Sequence, residues 1–317
     1  MGDRYLLHPA RSAGHGRHVP AGAGLSGRHI QVPDMEKLQK ALQKAREQRG
    51  GPSVGPDLAA APKAHADAAA RDSRALAPPG GETDALWQAL APFEPSRKTM
   101  ERYRIVTAEA GRLGTAFDVL RTKILLTMRK NGWTRLAITS PTMGCGKTTT
   151  ACNLAIGFAR NPDQRTIMLE FDLRRPNVAK LLDLPAGPDV SEMLSGDVAF
   201  ADQALRYRQN VAIAAAHKVS PDPTSLLTSK VTHDTLAEIE AAYSPDVMIF
   251  DLPPLLVGDD TRSVLKDVDC ALLVVQSGAT TVSQIDICER EIAEHTNMLG
   301  VVLNQCRDSD DEYGYYE

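Results

Sequence analysis

The chain has 317 residues, enough for one large domain or two small ones, and it contains no apolar run of about 18 residues that could span a membrane. Its 36 basic and 40 acidic residues give a net charge of −4, so there is no electrostatic reason to expect a nucleic acid partner. Five cysteines without the spacing of metal ligands favour a reducing cytoplasm and argue against a disulfide framework.

The first 98 residues divide into three segments of different composition. Residues 1–34 are rich in Gly, His, Arg and Ala without a period, so we expect disorder, or an extension that is not part of the working protein. Residues 35–49 place leucine and alanine at helical spacing among charged residues, which predicts a short amphipathic helix, either docked on a partner or simply solvated. Residues 50–98 are dominated by Ala, Pro, Gly and Asp, the composition of a disordered linker.

Beyond residue 99, apolar runs of strand length alternate with helical patterns. Continuous apolar strands separated by helices are typical of a parallel sheet that is covered on both faces. We therefore predict an α/β fold with a mostly parallel sheet, and a ligand at the carboxyl ends of its strands. The predicted strands cover residues 136–139, 166–171, 211–215, 247–250, 271–276 and 299–303, and the predicted helices cover residues 116–126, 151–159, 178–182, 225–243 and 281–294.

The stretch from residue 140 to residue 150 has the layout of a phosphate-binding P-loop. It follows the first of these strands, contains two glycines and a Gly-Lys-Thr triplet, and leads into a helix. The strict pattern has glycine six residues before the lysine, where this chain has Pro141. A plain glycine turn between a strand and a helix is the alternative, but it leaves the Gly-Lys-Thr triplet unexplained.

The residues of this loop fit a nucleotide phosphate. Gly144 and Gly146 let backbone N–H groups approach an anion, and the positive end of the helix dipole points at the same place. Lys147 supplies a charge for the β- and γ-phosphates, and the Thr148 hydroxyl can ligate Mg²⁺. The predicted nucleotide-binding residues are Met143, Gly144, Cys145, Gly146, Lys147, Thr148 and Thr149.

Three carboxylates follow two of the other predicted strands. Glu170 and Asp172 close the strand that begins at residue 166, and Asp251 closes the strand that begins at residue 247. Carboxylates beside a phosphate repel it unless a cation lies between them, so these acids predict Mg²⁺. Each acid alone is more often a strand-end cap or an ion-pair partner.

These motifs resemble those of the bacterial tyrosine kinases (BY-kinases) of capsule and exopolysaccharide synthesis, which are P-loop ATPases. The Walker A motif of that family matches residues 140–148, its second motif, Walker A′, matches residues 170–174, and its Walker B motif matches residues 251–254. The resemblance covers about residues 100–306 and implies a P-loop NTPase-like kinase domain, which we place at residues 99–306. It also implies ATP and Mg²⁺ as ligands.

Carried over by position, the resemblance implies a catalytic group made of Lys147, Glu170, Asp172 and Asp251. Lys147 and Thr148 would bind ATP and Mg²⁺, and Asp172 and Asp251 would complete the metal site. The first acid of Walker A′ would deprotonate the attacking tyrosine. This chain has Glu170 where the family has Asp, and a displacement of about 1 Å can cost about 10²-fold in rate.

The family also uses the helix before the P-loop and the C-terminal tail. Members that form rings have Glu, Arg and Arg where this chain has Thr115, Asp118 and Arg121, so we expect a homo-oligomer but not necessarily the same ring interface. Residues 307–317 form an acidic tail of the kind that the family phosphorylates on itself in trans, since it is expected to be flexible and reach a neighbouring active site. The predicted phosphorylation sites are Tyr313, Tyr315 and Tyr316.

The resemblance therefore predicts an ATP-dependent protein-tyrosine autokinase that controls polysaccharide polymerisation or export. It would be cytoplasmic and recruited to the inner membrane by a membrane-embedded polysaccharide co-polymerase or chain-length regulator. One alternative is a nucleotide-switched ATPase that positions cargo, but the signature lysine of that class is replaced by Thr142. A second alternative is a non-catalytic ATP-binding regulator, which the departures at Pro141 and Glu170 leave open.

Overall fold

A computed structural model describes residues 29–31 and 81–306 of the chain. The strands of these residues are β1 (His29–Gln31), β2 (Ala91–Phe93), β3 (Arg135–Thr139), β4 (Thr166–Glu170), β5 (Leu205–Tyr207), β6 (Val211–Ala214), β7 (Val247–Asp251), β8 (Cys270–Gln276) and β9 (Asn297–Cys306). They form one nine-stranded sheet in the order β1-β9-β8-β3-β7-β4-β6-β5-β2. The pairs β5–β6 and β1–β9 are antiparallel, and the other pairs are parallel.

Helices connect the strands and cover the sheet. They are α1 (Glu82–Ala89), α2 (Arg97–Tyr103), α3 (Thr115–Asn131), α4 (Lys147–Phe158), α5 (Val178–Leu182), α6 (Val190–Leu194), α7 (Phe200–Gln203), α8 (Pro223–Leu227), α9 (Lys230–Tyr243), α10 (Asp260–Leu265) and α11 (Val282–His295). Between residues 81 and 306, none of them combines the length and the apolar character needed to cross a bilayer.

Alternate residues of the central strands enter two separate hydrophobic cores. Leu136 and Ile138 pack with α3, α4 and α5 on one face, whereas Ala137 packs with α1, α6, α9, α10 and α11 on the other. Strands β3, β4 and β7 are buried along their whole length, which explains why their sequences are continuously apolar. The mostly parallel sheet with helices on both faces is therefore confirmed. The five cysteines are all buried and unpaired.

The helix predicted over residues 225–243 is two helices. α8 ends at Leu227, and α9 begins at Lys230, because the Ser229 hydroxyl accepts a hydrogen bond from the Thr232 N–H at 3.1 Å and starts a new helix. Serine is an ordinary residue inside a long apolar pattern, so its capping role became visible only in the structure.

The linker predicted over residues 50–98 is wrong for residues 81–98, which belong to the folded domain. Trp87 on α1 is 2% exposed, and its indole N–H donates to the Tyr243 carbonyl at 2.8 Å. Leu90 is fully buried, and β2 pairs with β5. The sequence analysis gave too much weight to the alanine and proline of this stretch and too little to Trp87 and Leu90, whose burial anchors it.

Residues 1–34, predicted to be disordered, include a short strand. β1 pairs with the end of β9, with His29 opposite Cys306 and Gln31 opposite Leu303. The rest of that segment, the predicted helix at residues 35–49, residues 50–80 and the tail at residues 307–317 lie outside the described residues.

Candidate active site

The P-loop and the carboxylates meet at the carboxyl ends of β3, β4 and β7. These three strands are parallel neighbours, and their register places Asp251 opposite both Ile138 and Glu170. The chain therefore brings to one edge of the sheet three motifs that lie between residue 140 and residue 254 of the sequence. This is the position at which the sequence predicted the ligand.

The backbone of the P-loop has the conformation that its glycines allow. Gly144 and Gly146 have φ angles of +84° and +91°, in the left-handed region that favours glycine. A Cβ atom at Gly146 would lie 2.2 Å from the Asn304 amide nitrogen, so any other residue there would have to displace the Asn304 side chain. Pro141 lies at the start of the loop, where its carbonyl accepts the Leu256 N–H at 3.2 Å.

The remaining predicted loop residues surround this turn. Met143 is 49% exposed at its tip, and the buried Cys145 thiol lies 3.7 Å from the Thr142 hydroxyl. Thr149 lies in the first turn of α4, where its carbonyl accepts a hydrogen bond from the Asn153 amide at 2.9 Å. Cys145 thus offers its backbone, not its sulfur, to a ligand in the loop.

Lys147 forms the centre of an ionic cluster. Its ammonium nitrogen lies 2.7 Å from Asp172 Oδ2, 3.6 Å from Asp251 Oδ1 and 3.1 Å from the Thr148 hydroxyl. Burial disfavours the charge of this side chain, but the attraction of Asp251 and Asp172 outweighs it, so the pKa of Lys147 is raised. The lysine stays charged and holds both carboxylates beside the mouth of the P-loop.

Asp251 is the most deeply buried acid of the cluster. Its side chain is fully buried, and neither carboxylate oxygen accepts a hydrogen bond of normal geometry. Burial raises the pKa of Asp251, and Lys147 and the Thr148 hydroxyl only partly offset that rise. A buried carboxylate with free lone pairs is a costly arrangement in itself, and it fits a site that a cation completes.

The donor set matches the chemistry of Mg²⁺. Two carboxylates, from Asp172 and Asp251, converge with the Thr148 hydroxyl, and Mg²⁺ takes one or two protein carboxylates and completes its shell with phosphate oxygens and water. Among the described residues, no group of three His, Cys, Asp or Glu side chains is placed to hold a metal. Because Asp172, Asp251 and Thr148 supply only part of the six ligands of Mg²⁺, they suit a metal whose other ligands come from a nucleotide and water.

Glu170 lies at the same strand end but does not contact Lys147. Its Oε1 accepts the Asn177 and Val178 N–H groups at 2.5 and 2.9 Å, and its Oε2 accepts the Ala216 N–H at 2.9 Å. Burial, together with the nearby Asp251, raises the pKa of Glu170 to about 7, against the opposing effect of these three donors. The carboxylate caps α5 and fixes the loop after β6, whereas Asp172 faces the P-loop.

Two residues of the site were missed as functional by the sequence analysis. The Asn304 amide donates to the Cys145 carbonyl and the Gln305 amide donates to the Gly144 carbonyl, both at 2.8 Å. They lie near the end of β9, about 160 residues after the loop. Residues 300–304 are part of the family resemblance, but nothing in the sequence assigned the Asn304 and Gln305 side chains a role at the loop.

The polar side chains of α3, the helix before the P-loop, form hydrogen bonds and ion pairs within this chain. Asp118 accepts two hydrogen bonds from Arg160, at 2.7 and 2.9 Å, and lies 3.4 Å from Arg121. Arg121 also donates to the Gly157 carbonyl on α4. These side chains tie α3 to α4, and Thr115 hydrogen-bonds weakly to the Gly111 carbonyl at 3.4 Å. The predicted tyrosine sites, Tyr313, Tyr315 and Tyr316, lie outside the described residues.

Known proteins with similar sequences decide the family. The tyrosine-protein kinase YwqD of Bacillus subtilis is 31% identical over 222 residues, which cover 68% of this chain and 92% of the relative. The chain belongs to the family of bacterial tyrosine-protein kinases. The tyrosine-protein kinase CpsD of Streptococcus pneumoniae, another member, is 30% identical over 184 residues, which cover 56% of this chain and 79% of the relative. No family model matches the chain.

Solved structures agree with this assignment of the fold. The kinase domain of the Escherichia coli tyrosine kinase ETK superposes with a TM-score of 0.60 at 23% identity and covers 72% of this chain and 94% of that domain. This likeness shows a shared fold. The BY-kinase family and the P-loop NTPase-like architecture predicted from the sequence are therefore both confirmed.

Proposed function

We propose that this member of the bacterial tyrosine-protein kinases transfers the γ-phosphoryl group of ATP to tyrosines of its own C-terminal tail. The observation that carries the proposal is the pairing of the P-loop Lys147 with two buried carboxylates, Asp172 and Asp251. A lysine at a helix N-terminus binds the phosphates, and a pair of acids beside it is useful only when a divalent cation joins the nucleotide.

The residues of the chain would act by position and charge. Mg²⁺ would neutralise charge on the phosphates, held by Asp172, Asp251 and Thr148. The N–H groups of the loop would bind phosphate oxygens, and Lys147 would exchange its carboxylate partners for them. Because phosphoryl transfer needs little covalent chemistry from the protein, this arrangement together with a correctly placed tyrosine accounts for most of the expected catalysis.

The proposed mechanism assigns the removal of the tyrosine proton to Glu170. Three backbone N–H groups already occupy three of the roughly four acceptor positions of this carboxylate, which leaves a single position, on Oε2, for the tyrosine proton. The same observation favours one second candidate function, a non-catalytic regulator that binds ATP and changes the activity of a partner. Loss of the base with retention of the metal site would give that outcome.

The resemblance also supports proposals about the cellular role. We propose control of polysaccharide polymerisation or export, in the cytoplasm, at a membrane-embedded co-polymerase that activates the kinase. We further propose a homo-oligomer in which one tail enters a neighbouring site. Because Asp118 and Arg121 bind within their own chain, such an oligomer needs other contacts or a rearrangement of α3.

Mass spectrometry of the full chain, before and after incubation with Mg·ATP, tests the proposed activity. We expect phosphate on Tyr313, Tyr315 or Tyr316 in the wild-type chain. The Lys147→Met variant and the variant with all three tyrosines changed to Phe should carry none there. Absence of phosphate in the wild-type chain, with ATP binding intact and the cytoplasmic segment of the partner present, would support the regulator instead.

A further inference from the structure

Two side chains outside the P-loop motif, at the end of β9, hydrogen-bond to carbonyls of the loop. We propose that Asn304 and Gln305 are positioning residues for phosphate binding, because they orient two backbone N–H groups of the loop toward the nucleotide. The proposal rests on the proposed binding of a nucleotide at this loop. It concerns side chains from β9, which follow the P-loop by about 160 residues and belong to none of the three nucleotide-binding motifs.

The geometry of the peptide bond links each carbonyl of the loop to the N–H group of the next residue. In a planar trans peptide, the carbonyl of one residue and the N–H of the next point in opposite directions. The Cys145 carbonyl shares its peptide with the Gly146 N–H, and the Gly144 carbonyl shares its peptide with the Cys145 N–H. A donor that holds these carbonyls on one side of the loop therefore fixes the two N–H groups on the other side.

Asn304 and Gln305 supply those two donors. The Asn304 amide lies 2.8 Å from the Cys145 carbonyl, and the Gln305 amide lies 2.8 Å from the Gly144 carbonyl. Within residues 81–306, neither the Cys145 N–H nor the Gly146 N–H donates to a protein acceptor. Both donors are thus free for an anion, on the side of the loop opposite the two amides.

The end of β9 is shaped for this contact. Gln305 has a φ angle of +60°, which is uncommon for a residue other than glycine, and its N–H donates to Asn304 Oδ1 at 2.8 Å. The Asn304 side chain is 8% exposed and is in close contact with Gly146. The uncommon conformation of Gln305, held by its neighbour Asn304, supports a functional role of this turn at the P-loop.

The test compares the affinity of the full chain for Mg·ATP and for inorganic tripolyphosphate, with and without these amides. Because an intramolecular hydrogen bond contributes about 1 kcal/mol, we expect Asn304→Ala and Gln305→Ala each to weaken the binding of both ligands by about fivefold. The double variant should lose about 25-fold if the two bonds act independently. The KM for ATP should rise by similar factors.

Asn297→Ala is the matched control. Asn297 lies at the other end of β9, where its amide donates to the Asp269 carbonyl at 2.8 Å, so the variant loses the same kind of bond away from the loop. It should bind both ligands as the wild-type chain does. If Asn304→Ala fails to fold, Gln305→Ala gives the answer, since its side chain is partly exposed.

Each result has one meaning. Unchanged affinity in the Asn304 and Gln305 variants, with a wild-type chain that binds ATP, would overturn this inference and leave the proposed function standing. A loss for ATP but not for tripolyphosphate would show that the amides bind the nucleoside, which also overturns it. A wild-type chain that binds neither ligand would refute the proposed function, and this inference with it.

Discussion

Replacing Asp251 by Asn should stabilise the nucleotide-free protein while removing the proposed Mg²⁺-dependent phosphoryl transfer. The Asp251 carboxylate is fully buried, and neither oxygen accepts a hydrogen bond of normal geometry. A buried polar group without partners costs about 1–3 kcal/mol, and Lys147 at 3.6 Å together with the Thr148 hydroxyl recovers only part of this. Removing the charge with an isosteric amide should therefore raise the free energy of unfolding by about 1 kcal/mol, or about 2–4 °C in Tm.

Asp172→Asn is the matched control, because the same change at the other acid should have the opposite effect. Asp172 lies 2.7 Å from Lys147 and also accepts the Arg175 N–H at 3.2 Å. The substitution removes the closer partner of a buried ammonium group, so we expect a loss of about 1–3 kcal/mol in the free energy of unfolding. Both variants should lose Mg²⁺-dependent phosphoryl transfer.

The assay is thermal unfolding of the full chain without nucleotide, followed by phosphoryl transfer with Mg·ATP. A Tm for Asp251→Asn that falls as far as that of Asp172→Asn would refute the reasoning, since it would mean that the Asp251 carboxylate is stabilising in the empty site. Full activity in both variants would refute the metal-binding role of these acids.

Three further predictions follow from the site and its surroundings. The pKa of Glu170 is raised to about 7 in the folded chain, above its ordinary value of 4.5, so between these values the folded state binds a proton that the unfolded state has lost. The free energy of unfolding should therefore fall as pH rises through this range. Glu170→Gln should reduce this fall when urea titrations at pH 5 and pH 8 are compared. Gly146→Ala should abolish ATP binding, because its Cβ would clash with Asn304 and its φ angle is positive. Trp87→Ala should lower the free energy of unfolding by about 3–5 kcal/mol, because the indole is buried against Tyr243.

Each of these predictions has its own control. Glu192→Gln removes a partly exposed acid whose pKa is lowered, so it should not reduce the same slope. Gly132→Ala changes another glycine with positive φ and an open Cβ position, so it should leave ATP binding intact. Removal of residues 1–80 takes away β1, an edge strand, and removal of residues 1–98 also takes away the buried Trp87 and Leu90, so the second truncation should lower Tm further. Equal Tm values for the two truncated chains would contradict the folded role of α1.

The sequence pattern was sufficient to predict a feature wherever a single physical requirement fixes the residue type. The buried strands of the sheet had to be continuously apolar, and the P-loop had to contain glycine, lysine and threonine in a fixed order. The sequence therefore predicted the parallel sheet, the position of Lys147, and the convergence of Asp172 and Asp251 on one edge. The tail tyrosines remain a prediction.

Other features were decided only by contacts between distant parts of the chain. Residues 81–98 have the composition of a linker, and they fold because Trp87 finds Tyr243 more than 150 residues later. Glu170 and Asp172 are neighbours in sequence with the same charge, yet one caps α5 and the other pairs with Lys147. Nothing in the sequence shows that the Asn304 amide contacts the P-loop. The sequence alone determined that the chain has the residues of a phosphate and metal site. The tertiary structure decided which side chains point into that site, because hydrogen bonds and burial depend on neighbours that only the folded sheet brings together.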